Sequence, residues 1–192
     1  WRYIKKVPLG IKPQRPILSP DGKLLLVPNI YSKEVLVVNT ENEEVLDSIK
    51  IDGYPSAVAL SPDGNILYLT DIENDRVLVL DFASKRIIKT ISVGTKPVNL
   101  LLVEGGKYLY VLSTQAGYLS VIDTSTNKNI KTIDATKIPT GMTYDANGGK
   151  LYIQAQVASV LVVDTRKMER LKNIIPGRLV GVGSVLFVSK GD

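Results

Sequence analysis

A chain of 192 residues, 44% hydrophobic and 22% charged, is long enough for one well-buried domain or two small ones, and 24 basic against 19 acidic residues leave a mild net charge of +5. It contains no cysteine and no histidine. That excludes disulfides, thiolate nucleophiles, zinc–thiolate centres and serine triads, and any metal would need an all-oxygen site.

The chain opens on Trp1, which reads as a processed or excised product, and no apolar run approaches the ~18–20 residues that span a bilayer. "WRYIKKVPLG" (1–10) reads as an outer strand, with Lys5 lying 84 residues before Lys89. The next stretch holds "SPDG" at 19–22, and the same four letters return at 61–64, a shift of 42. Pro13, Pro55, Pro97 and Pro139 keep that spacing, as do Gly22, Gly64, Gly106 and Gly148, and Val7, Ile49, Ile91 and Ile133. Asn39, Asp81, Asp123 and Asp164 follow at 42, 42 and 41. These columns share one register and define four repeats, residues 10–52, 53–93, 94–135 and 136–176, with the start of a fifth over 177–192.

One repeat reads as four short strands. In the second, "SAVAL" (56–60) enters the turn Ser61-Pro62-Asp63-Gly64, "ILYLT" (66–70) and "RVLVLD" (76–81) follow, and "IIKTISV" (87–93) ends the unit. Proline presets the first torsion of the turn, aspartate caps its own backbone and glycine tolerates the exit. The third strands, "VLVV" (35–38), "VLVL" (77–80) and "VLVV" (160–163), are apolar at every position, so both of their faces should be covered. Each last strand mixes lysine with isoleucine, and the second and third add threonine, as an outer edge should. A sheet buried on both faces except at its rim is a propeller blade. The predicted fold is therefore all-β, a β-propeller of four-stranded antiparallel blades with four full blades and a partial fifth. "DTRKMERLKNII" (164–175) also carries a helical spacing, but the register assigns it to a turn and an outer strand.

The unit, with its "SPDG", "LYLTD", "VLVLD" and "KTISVG" segments, resembles the YVTN-type β-propeller repeat over nearly the whole chain. That resemblance implies a binding or surface module exported to the periplasm or displayed at the cell surface, with a cytoplasmic location as the alternative. Related propellers include enzymes that depend on a bound cofactor or on histidine ligands, and this chain has no histidine. The fifth blade would combine the strand at 1–9 with "LVGVG" (179–183) and "VLFVS" (185–189), and lacks a third strand. Either the ring closes on this thin blade or the chain is a segment of a larger ring, which would expose strand edges and favour oligomers.

Functional residues are expected on the loops joining one blade to the next: Lys12 and Arg15, Tyr54, Lys96, Lys137 and Arg178. Four of these five loops carry a basic side chain, enough to concentrate an anionic ligand or steer an acidic partner, although lysines are also ordinary in exposed loops. Asp71, Glu73 and Asp75 lack the spacing of a calcium loop and read as a solvated charge run. Asp21, Asp63, Asp81, Asp123 and Asp164 read as turn caps, and Tyr68, Tyr110 and Tyr152 as packing between blades. Neither a metal nor a cofactor is called for. Three functions fit: a non-catalytic module binding a protein or cell-envelope polymer, an anion binder for nucleic acid or acidic glycan, and part of a larger propeller enzyme whose active site lies outside this chain.

Overall fold

The computed structural model describes residues 7–135, 138–156 and 159–174 and contains four antiparallel sheets of four strands, each in simple chain order. The first holds β1 (Ile17–Leu18), β2 (Leu24–Asn29), β3 (Glu34–Asn39) and β4 (Val45–Lys50). The second holds β5 (Pro55–Leu60), β6 (Ile66–Asp71), β7 (Arg76–Asp81) and β8 (Arg86–Ser92). The third holds β9 (Pro97–Val103), β10 (Tyr108–Ser113), β11 (Tyr118–Asp123) and β12 (Lys128–Asp134). The fourth holds β13 (Pro139–Asp145), β14 (Lys150–Ala155), β15 (Ser159–Asp164) and β16 (Glu169–Ile174). Each sheet is one of the four repeats. The stretch with helical spacing forms β16, so the register prevails over the local pattern. Of the proposed fifth blade, only residues 7–9 are among those described, and they belong to no strand; the rest lies outside the described residues.

Alternation within each strand sends side chains to two different neighbours. Leu26, Val35 and Val37 of the first sheet pack on Leu67, Leu69, Leu78 and Leu80 of the second. The other face of the second sheet, with Tyr68, Val77 and Val79, packs on Leu100, Leu109 and Ile122 of the third. The third in turn offers Tyr110, Leu112 and Val121 to Leu151, Leu161 and Val163 of the fourth. This relay of apolar interfaces is the physical meaning of the uninterrupted third strands, and it defines a propeller-like stack of blades. Tyr110 is fully buried and its hydroxyl donates to the Thr165 carbonyl at 3.1 Å, across the interface between the third and fourth blades. The outer strands are wet, with Ile87, Ile88 and Ile130 exposed beside lysines and arginines that blunt the free edge.

A bulge recurs where each third strand meets its outer strand, at Val37/Val38, Val79/Leu80, Val121/Ile122 and Val162/Val163. One extra residue there increases the local twist in every blade alike. The first blade departs at its inner strand. β1 has two residues where β5, β9 and β13 have six or seven. Pro13 and Pro16 bracket the missing part, and neither has an N–H to give to the ladder. The chain there is held by an isolated bridge from Pro13 to Asn29 and by Gln14 N–H donating to the Pro28 carbonyl at 2.8 Å.

The turns joining first to second and third to fourth strands share one end of the blades. There the Asp21 carboxylate accepts from the Ser19 hydroxyl at 2.6 Å and from Lys23 N–H at 3.1 Å, and Asp63 repeats the arrangement with Ser61 and Asn65. Asn39, Asp81, Asp123 and Asp164 cap the other turn of the four blades, accepting N–H bonds from Glu41, Ser84, Ser125 and Arg166. The two turns of each blade are tied by Thr40, Phe82, Thr124 and Thr165 N–H groups donating to carbonyls of Lys23, Asn65, Lys107 and Gly149. The aspartates therefore serve as the turn caps that their repetition predicts.

These caps set an acid limit. Serine hydroxyl bonds, followed by backbone N–H bonds for most of them, hold Asp21, Asp63, Asp81 and Asp123 below the ordinary aspartate value of 3.8. A carboxylate depressed on folding stabilises the fold above its unfolded value, and the contribution disappears as pH falls through the folded one. The urea midpoint is therefore expected to be unaffected by these groups from neutrality down to about pH 5, then to fall below pH 3.8. Asp81→Asn should keep the cap, as Asn39 does in the first blade, while removing its share of the acid loss.

Candidate functional site

The opposite end carries the loops between blades together with the turns between second and third strands. Its backbone framework repeats: Ile72, Thr114 and Gln156 N–H groups donate to the carbonyls of Tyr54, Lys96 and Ile138. The proline column Pro13, Pro55, Pro97 and Pro139 also opens the inner strands here, but other side chains vary from blade to blade. Lys12, Tyr54, Lys96 and Ile138 share one register position, and Asn29, Asp71, Ser113 and Ala155 share another.

In the first three blades the second of these positions lies under a glycine of the preceding loop, Gly10, Gly53 or Gly94. Asp71 is fully buried: its Oδ1 accepts Tyr54 N–H at 2.9 Å, and its Oδ2 accepts Asn74 Nδ2 at 2.8 Å and Arg76 Nε at 2.9 Å. The Arg76 guanidinium also donates to the Asp52 carbonyl at 2.8 Å, so one carboxylate fastens the loop to the blade. Asp71 thus departs from the expectation of a solvated charge run. A Cβ on Gly53 would stand 2.2 Å from Asp71 Oδ2, so only glycine lets the loop pass over the carboxylate. Asn29, its equivalent in the first blade, is fully buried with neither amide atom hydrogen-bonded. Replacing it with leucine, which keeps the shape, is expected to raise the unfolding free energy by about 1 kcal/mol, read from urea melts, because an unmade buried hydrogen bond is removed.

Two joined clefts open at this end. The larger, of about 520 Å³, lies where the inner strands converge, lined by Lys12, Gln14 and Arg15 of the first loop, Ser56 and Asn99, and aliphatic side chains beneath. The smaller, of about 300 Å³, is lined by Lys12, Ile30, Tyr31, Tyr54, Ile72 and Glu73. The shortened β1 stands beside this space, since Ile17 and Leu18 line its wall. The Lys12 ammonium lies 4.7 Å from the Tyr31 ring centroid and 3.3 Å from its hydroxyl, and the Lys33 ammonium lies 4.5 Å from the Tyr54 centroid. Such ammonium–ring contacts contribute about 0.5–1 kcal/mol at exposed sites. Lys12 also holds a left-handed φ of 57°, a conformation that costs a side-chain-bearing residue ~1–2 kcal/mol.

Of the residues expected to bind, Lys12, Arg15 and Tyr54 line these clefts. Lys96 is committed elsewhere: its ammonium meets Glu73 at 2.7 Å and its N–H donates to Asp75 at 2.9 Å. Lys137 and Arg178 lie outside the described residues. The sequence reading passed over Lys33, Ile30 and Ile72. The 42-residue interval between Ile30 and Ile72 was the available signal, but isoleucines at a strand end read as core. Among the described residues no group of acidic side chains could hold a metal ion, and no helix is long and apolar enough to cross a membrane.

No protein-family model matches the chain, and no curated protein matches it. Among solved structures it is similar to Kuenenia stuttgartiensis hydrazine synthase, with a TM-score of 0.78 at 26% identity, covering 90% of this chain and 52% of that one. The chain therefore spans about half the length of the matched chain. This likeness and the four sheets in chain order agree on a propeller-like fold.

Proposed function

We propose that this chain is a non-catalytic binding or scaffold module that works through the end bearing the inter-blade loops, offering it to a protein or cell-envelope partner. One observation carries the reading: the two ends differ in how faithfully they repeat. Carboxylate and amide caps recur at the turn end, where they satisfy backbone donors, whereas the loop end keeps its backbone and its proline column but varies the side chains at the Lys12 and Asn29 positions from blade to blade. Turn geometry explains the first pattern. It gives no reason for the second, and loops on a rigid scaffold are where binding residues concentrate. Resemblance to YVTN-type repeats supports display at the envelope or outside the cell. A photoreactive residue replacing Tyr31 should cross-link a partner in cells that express the chain, while one replacing Thr126 at the turn end should not; the reverse result would overturn the assignment.

A second reading is favoured by the match to half of a hydrazine synthase chain. Under it, these blades are the scaffold part of a larger propeller enzyme. With no histidine or cysteine here, the reactive groups would come from elsewhere. Turnover that appears only when the chain is joined to further blades would support this reading over the first.

A further inference from the structure

The joined clefts carry a chemical preference. Their volumes, about 520 and 300 Å³, are in the range of small-molecule sites. They share Lys12, Ile30 and Ile72, so a ligand can extend from one into the other. Charge at the mouth is uncompensated. Lys50, Arg76, Lys85 and Lys96 pair with Glu34, Asp71, Asp47 and Glu73. Lys12 and Arg15 have no carboxylate partner among the described residues. Glu73, the acid lining the smaller cleft, is held by Lys96 and so does not neutralise Lys12. Below the cations the walls are apolar, with Ile30 and Ile72 at equivalent positions, and the rings of Tyr31 and Tyr54 face the same space.

From this arrangement we infer that the cleft binds a small organic anion, its acidic head at Lys12 and Arg15 and its apolar or aromatic body over Ile30 and Ile72 between the two tyrosines. The inference rests on the reading that the loop end is the binding end, and it supplies the ligand class for that end. An inorganic anion fits less well, because it would leave the apolar surface of Ile30 and Ile72 uncovered. Single-stranded nucleic acid needs a continuous basic track with successive aromatics, and two tyrosines beside one cleft do not make one. The exposed Lys12 ammonium is met only by the Tyr31 hydroxyl and ring, so an acidic head can pair with it without displacing a carboxylate.

The test is calorimetric titration with 2-naphthoate and its neutral analogue 2-naphthamide. One saturable site per chain is expected for the carboxylate, with at least tenfold weaker binding of the amide. Lys12→Gln combined with Arg15→Gln should weaken the carboxylate at least tenfold, whereas Lys89→Gln combined with Lys131→Gln on outer strands should leave it unchanged. Unaltered urea midpoints would show that the variants remain folded, and Arg15→Lys should restore part of the affinity. Absence of a saturable site, equal binding of acid and amide, or indifference to the Lys12/Arg15 pair would each overturn the inference. Such a failure would leave the binding end itself standing, because cross-linking from Tyr31 reads that separately.

Discussion

Replacing Asp71 with alanine is expected to lower the unfolding free energy by about 3 kcal/mol, the lower end of the cost of breaking a buried ion pair from one side. The substitution strands three donors at once: Tyr54 N–H, the Asn74 amide and Arg76 Nε. The lower end applies because the Arg76 side chain is 29% exposed and keeps its bond to the Asp52 carbonyl. For a domain of this length, the loss corresponds to a drop of roughly 6–12 °C in thermal midpoint. Differential scanning calorimetry reads it directly. A shift no larger than that of a surface substitution would mean that the buried carboxylate does not fasten the loop.

Gly53→Ala is expected to cost about 2 kcal/mol for a different reason, overpacking against that same carboxylate. Its Cβ would stand 2.2 Å from Asp71 Oδ2 and 2.6 Å from Cγ, and the carboxylate is fixed by its donors, so one of the two must give. The two substitutions should therefore not add. Once Asp71 is alanine the obstruction is gone, and Gly53→Ala should cost little more, leaving a coupling energy of about 1–3 kcal/mol in a double-mutant cycle. The third blade provides the contrast. Gly94 is closed off by Ser113 Cβ and the Tyr118 ring, all at 2.7 Å, and Ser113→Ala would leave that Cβ in place. Gly94→Ala should stay costly in the Ser113→Ala background. Additivity at Gly53 and Asp71 would contradict the close approach on which both effects depend.

Much of the architecture is legible in the sequence because the repeat imposes it. Proline, glycine and isoleucine columns with an unbroken apolar third strand are sufficient to place four blades and to decide for β16 against a helix. The turn caps are legible for the same reason, since Asp21 or Asp81 acts on backbone within a few residues of itself. What depends on partners distant in sequence is not legible. Asp71 reads as one acid among three until Gly53 and Tyr54 fold over it. Lys96 reads as part of a basic ring, yet Glu73, 23 residues earlier, takes up its charge. Left-handed backbone at Glu43, Lys85, Asn127 and Met168 shows the limit from the other side: the turn demands one conformation, and four unrelated side chains accept it. The shortening of β1 was within reach, because Pro16 adds a second missing donor three residues after Pro13, but the proline column directs attention to Pro13 alone.

The most direct test of the division between a structural end and a binding end is a set of urea midpoints for alanine variants at both. Asp21, Asp63, Asp81 and Asp123 represent the turn end, and Lys12, Arg15 and Tyr31 the loop end. Each turn variant is expected to lower the midpoint, because each strands backbone donors, while the Arg15 variant stays within about 0.5 kcal/mol of the parent and the Lys12 and Tyr31 variants lose no more than the ~0.5–1 kcal/mol of their mutual contact. Loop variants that unfold as readily as the turn variants would contradict that division, for those side chains would then be maintaining the fold and would not be held in reserve for a ligand.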